Sequence, residues 1–173
     1  KNRVDPYQPA GNLTIAYDKV GSDSHLKREL NIRDGMSTVE RTTNDGGSVL
    51  QESFAHFSRT ILVTRISSGS HAPIGCTVAL SRQEDPECSL FFRRSADRLG
   101  FTGSFDEGVL FSTEIRVAAT DGLISPAGSR ARDGLRVSGA REILILCTIA
   151  TSNSSAYPEE ETRWTLTDTP PAW

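Results

Sequence analysis

The stretch Gly47 to Ser67, GSVLQESFAHFSRTILVTRIS, most constrains what this chain can fold into. Its first half alternates. Leu50, Glu52, Phe54 and His56 point one way, and Val49, Gln51, Ser53, Ala55 and Phe57 the other. Its second half holds Ile61, Leu62, Val63 and Ile66 in a nearly continuous apolar run. Alternation marks a strand with one wet face, and an unbroken run marks a strand covered on both faces. The pair reads as an edge-ward strand that turns at Phe57-Ser58-Arg59 into a central strand. Apolar strand faces of this kind make core, so the stretch speaks to fold and not to function.

The same period of two recurs along the chain. Strand patterns occupy Gly11 to Asp18, Leu26 to Arg33, Met36 to Thr43, Ile74 to Ser81 and Val109 to Thr120. Shorter ones occupy Ser89 to Phe92, Arg98 to Thr102 and Leu123-Ile124. Gly134 to Ser138 leads into Arg141 to Thr151, whose ILILC core reads as a fully buried strand. Asp34-Gly35, Asn44 to Gly47 and Asp121-Gly122 supply turn chemistry between them. No window of about 12 residues holds a 3.6-residue apolar period. Roughly ten strands with regular turn signals imply an all-β fold, an antiparallel β-sandwich, and no β-α-β alternation points to a parallel sheet. The sandwich is assigned to residues 1–157, and 158–173 is read as a polar tail or linker toward a missing domain.

At 173 residues the chain is long enough for one domain with a sizeable core. Its net charge of −3 gives no basic surplus for nucleic acid or an anionic membrane. No apolar run approaches the roughly 20 residues of a membrane span, and the opening KNRVDPYQPAG has no apolar core of a targeting peptide. Three cysteines, Cys76, Cys88 and Cys147, are too few for a disulfide framework. Cys147 reads as a small buried hydrophobe. Cys76 and Cys88 flank a strand and turn, and their pairing is left open, because spacing does not fix disulfide geometry. The sequons at Asn12 and Asn153 matter only in a eukaryotic secretory route.

Chemistry is sparse. His25, His56 and His71 stand apart, with no partner at a metal-ligand spacing. No nucleophile elbow, phosphate loop or dinucleotide fingerprint occurs. The acidic groups Glu84-Asp85 with Glu87, Asp106-Glu107 and Glu159-Glu160-Glu161 fall in turns or the tail and read as solvated. No catalytic residue, metal site or cofactor is therefore assigned, and no carbohydrate-binding residue is singled out. The aromatics near the end, Tyr157, Trp164 and Trp173, are candidates for interdomain contact, because an apolar ring in a polar terminus needs a surface to cover it.

Five segments, taken in order, resemble the N-terminal β-sandwich domain of glycoside hydrolase family 95, the α-L-fucosidase family. Tyr7 to Leu13, YQPAGNL, is similar to that domain's YQPxGxL. Leu26 to Arg41, LKRELNIRDGMSTVER, resembles its YxRxLDLxxGxxxVxY hairpin. Gln51 to His56 resembles its RExFAS element, and Ile61 to Ile66 its VIVVRL strand. Ile143 to Asn153, ILILCTIATSN, is similar to its closing LLLAAATSY strand. Asn31, Gln51 and His56 replace the family's usual Asp, Arg and Ser. The resemblance implies a super-β-sandwich that is incomplete on its N-terminal side. It implies a non-catalytic module that packs on and supports a downstream (α/α)6 barrel, where the family's catalytic machinery lies, so no catalytic residue carries over. A secreted or periplasmic setting is preferred to a cytoplasmic one. Carbohydrate and a second copy of the chain stay open as partners. The alternative is a free-standing carbohydrate-binding or adhesion sandwich, which would display aromatics on one strand face or loop cluster.

Overall fold

The structure, a computed structural model of the chain, describes residues 8–18, 23–44, 46–69, 72–106 and 108–169. Among these, twelve strands form two sheets in which every neighbouring pair is antiparallel. The larger sheet has the order β2-β3-β4-β5-β12-β9-β8-β7. It is built from β2 (Asp23–Asn31), β3 (Met36–Thr43), β4 (Ser48–Ala55), β5 (Ile61–Ser68), β7 (Cys88–Arg94), β8 (Arg98–Phe105), β9 (Leu110–Thr120) and β12 (Glu142–Thr151). The smaller sheet, β1-β6-β11-β10, uses β1 (Asn12–Tyr17), β6 (Ile74–Ser81), β10 (Leu123–Pro126) and β11 (Leu135–Ala140). The two sheets pack as an open sandwich, the fold class implied by the alternation.

The organising pair is β4 and β5, and β5 lies inside the sheet between β4 and β12. Antiparallel register explains the apolar runs of β5 and β12. Ile66, Ile143, Ile145 and Cys147 face the small sheet and pack with Cys76, Val78, Leu135 and Val137. The intervening positions Ile61, Leu144 and Leu146 turn to the opposite face and are buried there as well. Each such Ile or Leu side chain contributes about 1.5–3 kcal/mol on burial. A strand covered on both sides leaves few positions for polar residues, hence the long apolar runs, and the buried Thr64 and Thr148 hydroxyls are hydrogen-bonded, to Ser53 and to the Thr60 carbonyl.

Strands β3 and β6 begin and end where the alternation places them. Strands β7 and β8 run longer than the shorter patterns suggest. The segment read as a lead-in to the last strand is itself β11, paired with both β6 and β10. Within β11 the register shifts between Val137 and Ala140, where Gly139 has φ 73°, a left-handed conformation suited to glycine, and at the step into β12 Arg141 N donates to Thr120 O. Gly103 on β8 serves close approach instead, since a Cβ there would overlap the ring of Phe111.

The main correction concerns the chain's last part. Read as polar tail, Pro158–Thr167 forms a helix, α1, packed on β12 and β9. Its buried stripe is Pro158, Thr162 and Leu166, spaced i, i+4, i+8, and only Leu166 is a large aliphatic. A stripe of that composition leaves no apolar period to read. The helix has other signals. Pro158 stands at its first position, where a missing N–H costs nothing, and Glu159, Glu160 and Glu161 lie against the positive end of the helix dipole.

Candidate functional site

Two places on this scaffold gather chemistry: the outer face of the large sheet beneath α1, and a cleft on its inner face. The first is built by strand alternation. Arg93, Arg98, Thr102, Ser112, Glu114 and Arg116 lie on β7, β8 and β9 and all reach the α1 side. Arg98 donates to Glu114 Oε1 at 3.0 Å, to the carbonyl of Arg163 at 3.2 Å and to Thr167 Oγ1 at 3.0 Å. Arg93 pairs with Glu159 at 3.1 Å and lies 3.9 Å from Glu114. Arg116 pairs with Asp97 at 3.0 Å and donates to the carbonyl of Leu166 at 3.3 Å. Ser112 and Thr162 hydroxyls are hydrogen-bonded at 3.0 Å.

This arrangement is structural in its chemistry. The last carbonyls of a helix lack partners within it. The final turn of α1 has no basic residue of its own; Arg116 donates to the Leu166 carbonyl, one of those last carbonyls, and Arg98 adds a bond to the Arg163 carbonyl just before them. On the other flank, Leu166 fills an apolar patch of Ile61, Leu144 and Leu146 with Val63 and Ala118. Arg59, in the β4–β5 turn, adds to the hold on this C-terminal end through Asp168 at 3.3 Å and Thr169 at 2.8 Å, and Arg93 holds the N-terminal end through Glu159. The helix is thus clamped at both ends, and its outer side is set in a fixed direction.

That outer side carries two of the three aromatic candidates. Tyr157 caps α1 and is 68% exposed, and Trp164 is 63% exposed. Seven residues apart, they lie about two turns apart on one side of the helix. Trp173 lies outside the described residues. Nearby, Phe57 at the tip of the β4–β5 turn is fully exposed.

The second place is a cleft of about 520 Å³ between the end of β1 and the strands β2, β3 and β4. Strand β1 crosses the large sheet. At its start the carbonyl of Ala10 accepts from Thr113 on β9, and at its end Tyr17 OH donates to Gln51 Oε1 on β4 at 3.0 Å. Ile15, Val39 and Val49 form an apolar wall. Tyr17, Asp18, Arg28, Arg41 and Gln51 supply the polar groups. Arg41 lies over the Tyr17 ring, 5.6 Å from its centroid. Burial raises the Tyr17 phenol well above its ordinary range, with Cys76 as a lesser cause, so it stays a neutral donor. Asp18 is held below the usual carboxylate range, first by its hydrogen bonds to Arg136.

The remaining candidates are dispersed. His25 and His56 are exposed on separate elements, and His71 lies outside the described residues. Asp85 pairs with Arg82 at 3.5 Å, and Asp106 sits exposed in a turn. Of the tail acids, Glu159 joins the arginine cluster, while Glu160 and Glu161 are solvated. All three cysteines are free thiols, so the pairing left open between Cys76 and Cys88 is not made. Sequence reasoning missed the cluster beneath α1 because its partners lie up to 69 residues apart. It missed the cleft because Arg28, Arg41 and Gln51 meet only through strand register.

An open antiparallel sandwich with a helix seated on it by arginines of distant strands, and with Tyr157 and Trp164 exposed on that helix, has the form of a scaffold module. The chain belongs to the glycosyl hydrolase family 65, N-terminal domain family, which matches residues 1–156. It is accordingly a non-catalytic N-terminal module of the glycoside hydrolase kind, and such a module implies a linked catalytic domain. No curated protein matches the chain.

Proposed function

We propose that this chain is the N-terminal β-sandwich module of an α-L-fucosidase-like glycoside hydrolase of family 95. Its role is to pack on and support a downstream (α/α)6 catalytic barrel. The order and spacing of the five segments from Tyr7 to Asn153 support the fucosidase assignment. The observation that carries the docking role is the pair Tyr157 and Trp164, exposed on one side of a clamped helix at the C-terminal end of the module. Large rings held outward on a rigid element suit an interface, because little side-chain entropy is lost when they are covered.

The full-length gene product tests both parts. Release of fucose from a chromogenic α-L-fucoside is expected, and its absence with an intact barrel would sink the fucosidase assignment. Trp164→Ala, and separately Trp173→Ala, are expected to weaken association between separately expressed module and barrel at least tenfold. Unchanged co-purification of both variants would refute the docking role.

A further inference from the structure

We infer that the linked catalytic domain docks through a basic surface, onto an acidic and aromatic face that runs from β7 across α1 to the β4–β5 turn. The inference rests on the docking role proposed above and adds the extent of the face and its charge.

The extent follows from where the exposed rings lie. Among the described residues these are Phe57, Phe91, Tyr157 and Trp164, and the other described rings are buried or half-buried. All four gather on the α1 side of the large sheet. Phe91 pairs with Thr102 across β7 and β8, and it shares a face with Arg93, two positions on. Thr102 Oγ1 donates to Glu159 Oε2 at 3.4 Å, and Arg93 pairs with the same carboxylate at 3.1 Å, so Phe91 flanks the first turn of α1. At the other end Phe57 stands two residues before Arg59, which bonds Asp168 and Thr169. Single exposed apolar side chains need no explanation, whereas rings gathered on one side mark an interface.

The charge follows from the helix. At 3.6 residues per turn, Tyr157, Glu160, Glu161, Trp164 and Asp168 fall on one side, opposite the buried stripe of Pro158, Thr162 and Leu166. Glu160 and Glu161 are exposed and stand between the two rings. The arginines around the helix are committed elsewhere: Arg93 and Arg163 to Glu159, Arg59 to Asp168, Arg98 to Glu114. A surface that covers Tyr157 and Trp164 together also strips water from these two carboxylates. That is costly unless the partner brings cations to them. The linked domain is the occupant in reach: α1 begins just past residue 156, where the family match ends, and a domain on the same chain docks at a raised effective concentration.

Hydroxyl-radical oxidation of the full-length protein, read by mass spectrometry and corrected for intrinsic reactivity, tests both parts. Leu123 on β10, 75% exposed and away from this face, is the internal reference. The four rings are expected to oxidise at least about fivefold more slowly than Leu123, because a docked surface excludes water from its anchors. The double variant Glu160→Lys with Glu161→Lys should raise Trp164 oxidation at least threefold, and Glu160→Gln with Glu161→Gln should fall between. So should the unaltered protein in about 1 M NaCl, where exposed charges are screened beyond roughly 3 Å. Amide exchange of α1 is read alongside, because lysines in its first turn also oppose the helix dipole, and the helix should stay protected. Rings that are protected but indifferent to salt and to charge reversal would overturn the basic partner and leave the docking role standing. Free oxidation of Phe57 and Phe91 beside protected Tyr157 and Trp164 would overturn the extent of the face. Oxidation of all four at the rate of Leu123 would sink the inference and the docking role together. Protection that disappears on dilution would assign the face to a second copy and overturn the inference.

Discussion

Glu114 is 4% exposed and lies 3.0 Å from Arg98 and 3.9 Å from Arg93. A carboxylate so buried would be costly without partners. With two guanidinium groups, and those groups bonded onward to Glu159, Thr167 and a helix carbonyl, the network is closed. Removing one member leaves the others buried and uncompensated. Glu114→Ala is therefore expected to destabilise the fold by about 3 kcal/mol or more, read from denaturant midpoints. A loss within about 0.5 kcal/mol, as at an ordinary surface site, would show that the arginines find water instead. A second residue-scale expectation concerns the thiols. Burial pushes Cys76 and Cys147 up to about 11 from an ordinary 9.0. Groups raised on folding add stability below their unfolded value and lose it as pH climbs through the folded one, so stability should decline from about pH 9 to 11. Alkylation of the native chain at pH 8 should reach Cys88, half-buried, before either of the other two. Modification of Cys147 first would contradict the packing.

At the scale of elements, α1 shows where sequence reading succeeds and where it stops. The strands were legible because alternation and the runs of β5 and β12 report directly which faces are covered. The run of β12, ILILC, demands a cover on both faces, and the small sheet supplies only one. The helix is that second cover, and its own sequence hides it, since Thr162 and Pro158 do the burying where a Leu would be recognised. Its remaining hold comes from arginines of distant strands, which no local pattern links to it. Leu166 carries most of the apolar seat. Leu166→Ala is expected to cost about 2–4 kcal/mol. Hydrogen exchange should separate two outcomes: the loss is confined to α1 amides if the helix undocks, and spreads to β12 and β9 if its cover is needed for the sheet. Wild-type protection throughout would mean that the polar clamp alone seats the helix.

For the whole molecule, two open sheets leave four edges, and they are not equally guarded. Edge strands invite pairing with another chain unless charge, proline or shortness prevents it. Strand β2 carries Lys27, Arg28 and Glu29, and β7 ends in Arg93-Arg94. Strand β10 has 4 residues and finishes at Pro126. Strand β1, NLTIAY, has no charge and no proline, pairs only with β6, and keeps its other edge open among the described residues. Association of the isolated chain, if driven by edges, should therefore run through β1. Sedimentation at high concentration is expected to show a concentration-dependent dimer. Thr14→Lys, an exposed position on β1, should shift it toward monomer, whereas Leu123→Lys on β10 should not. A clean monomer for the unaltered chain would show that the β1 edge is protected in solution. A dimer indifferent to Thr14→Lys would move the contact elsewhere, with the exposed Tyr157 and Trp164 of α1 the next surface to alter.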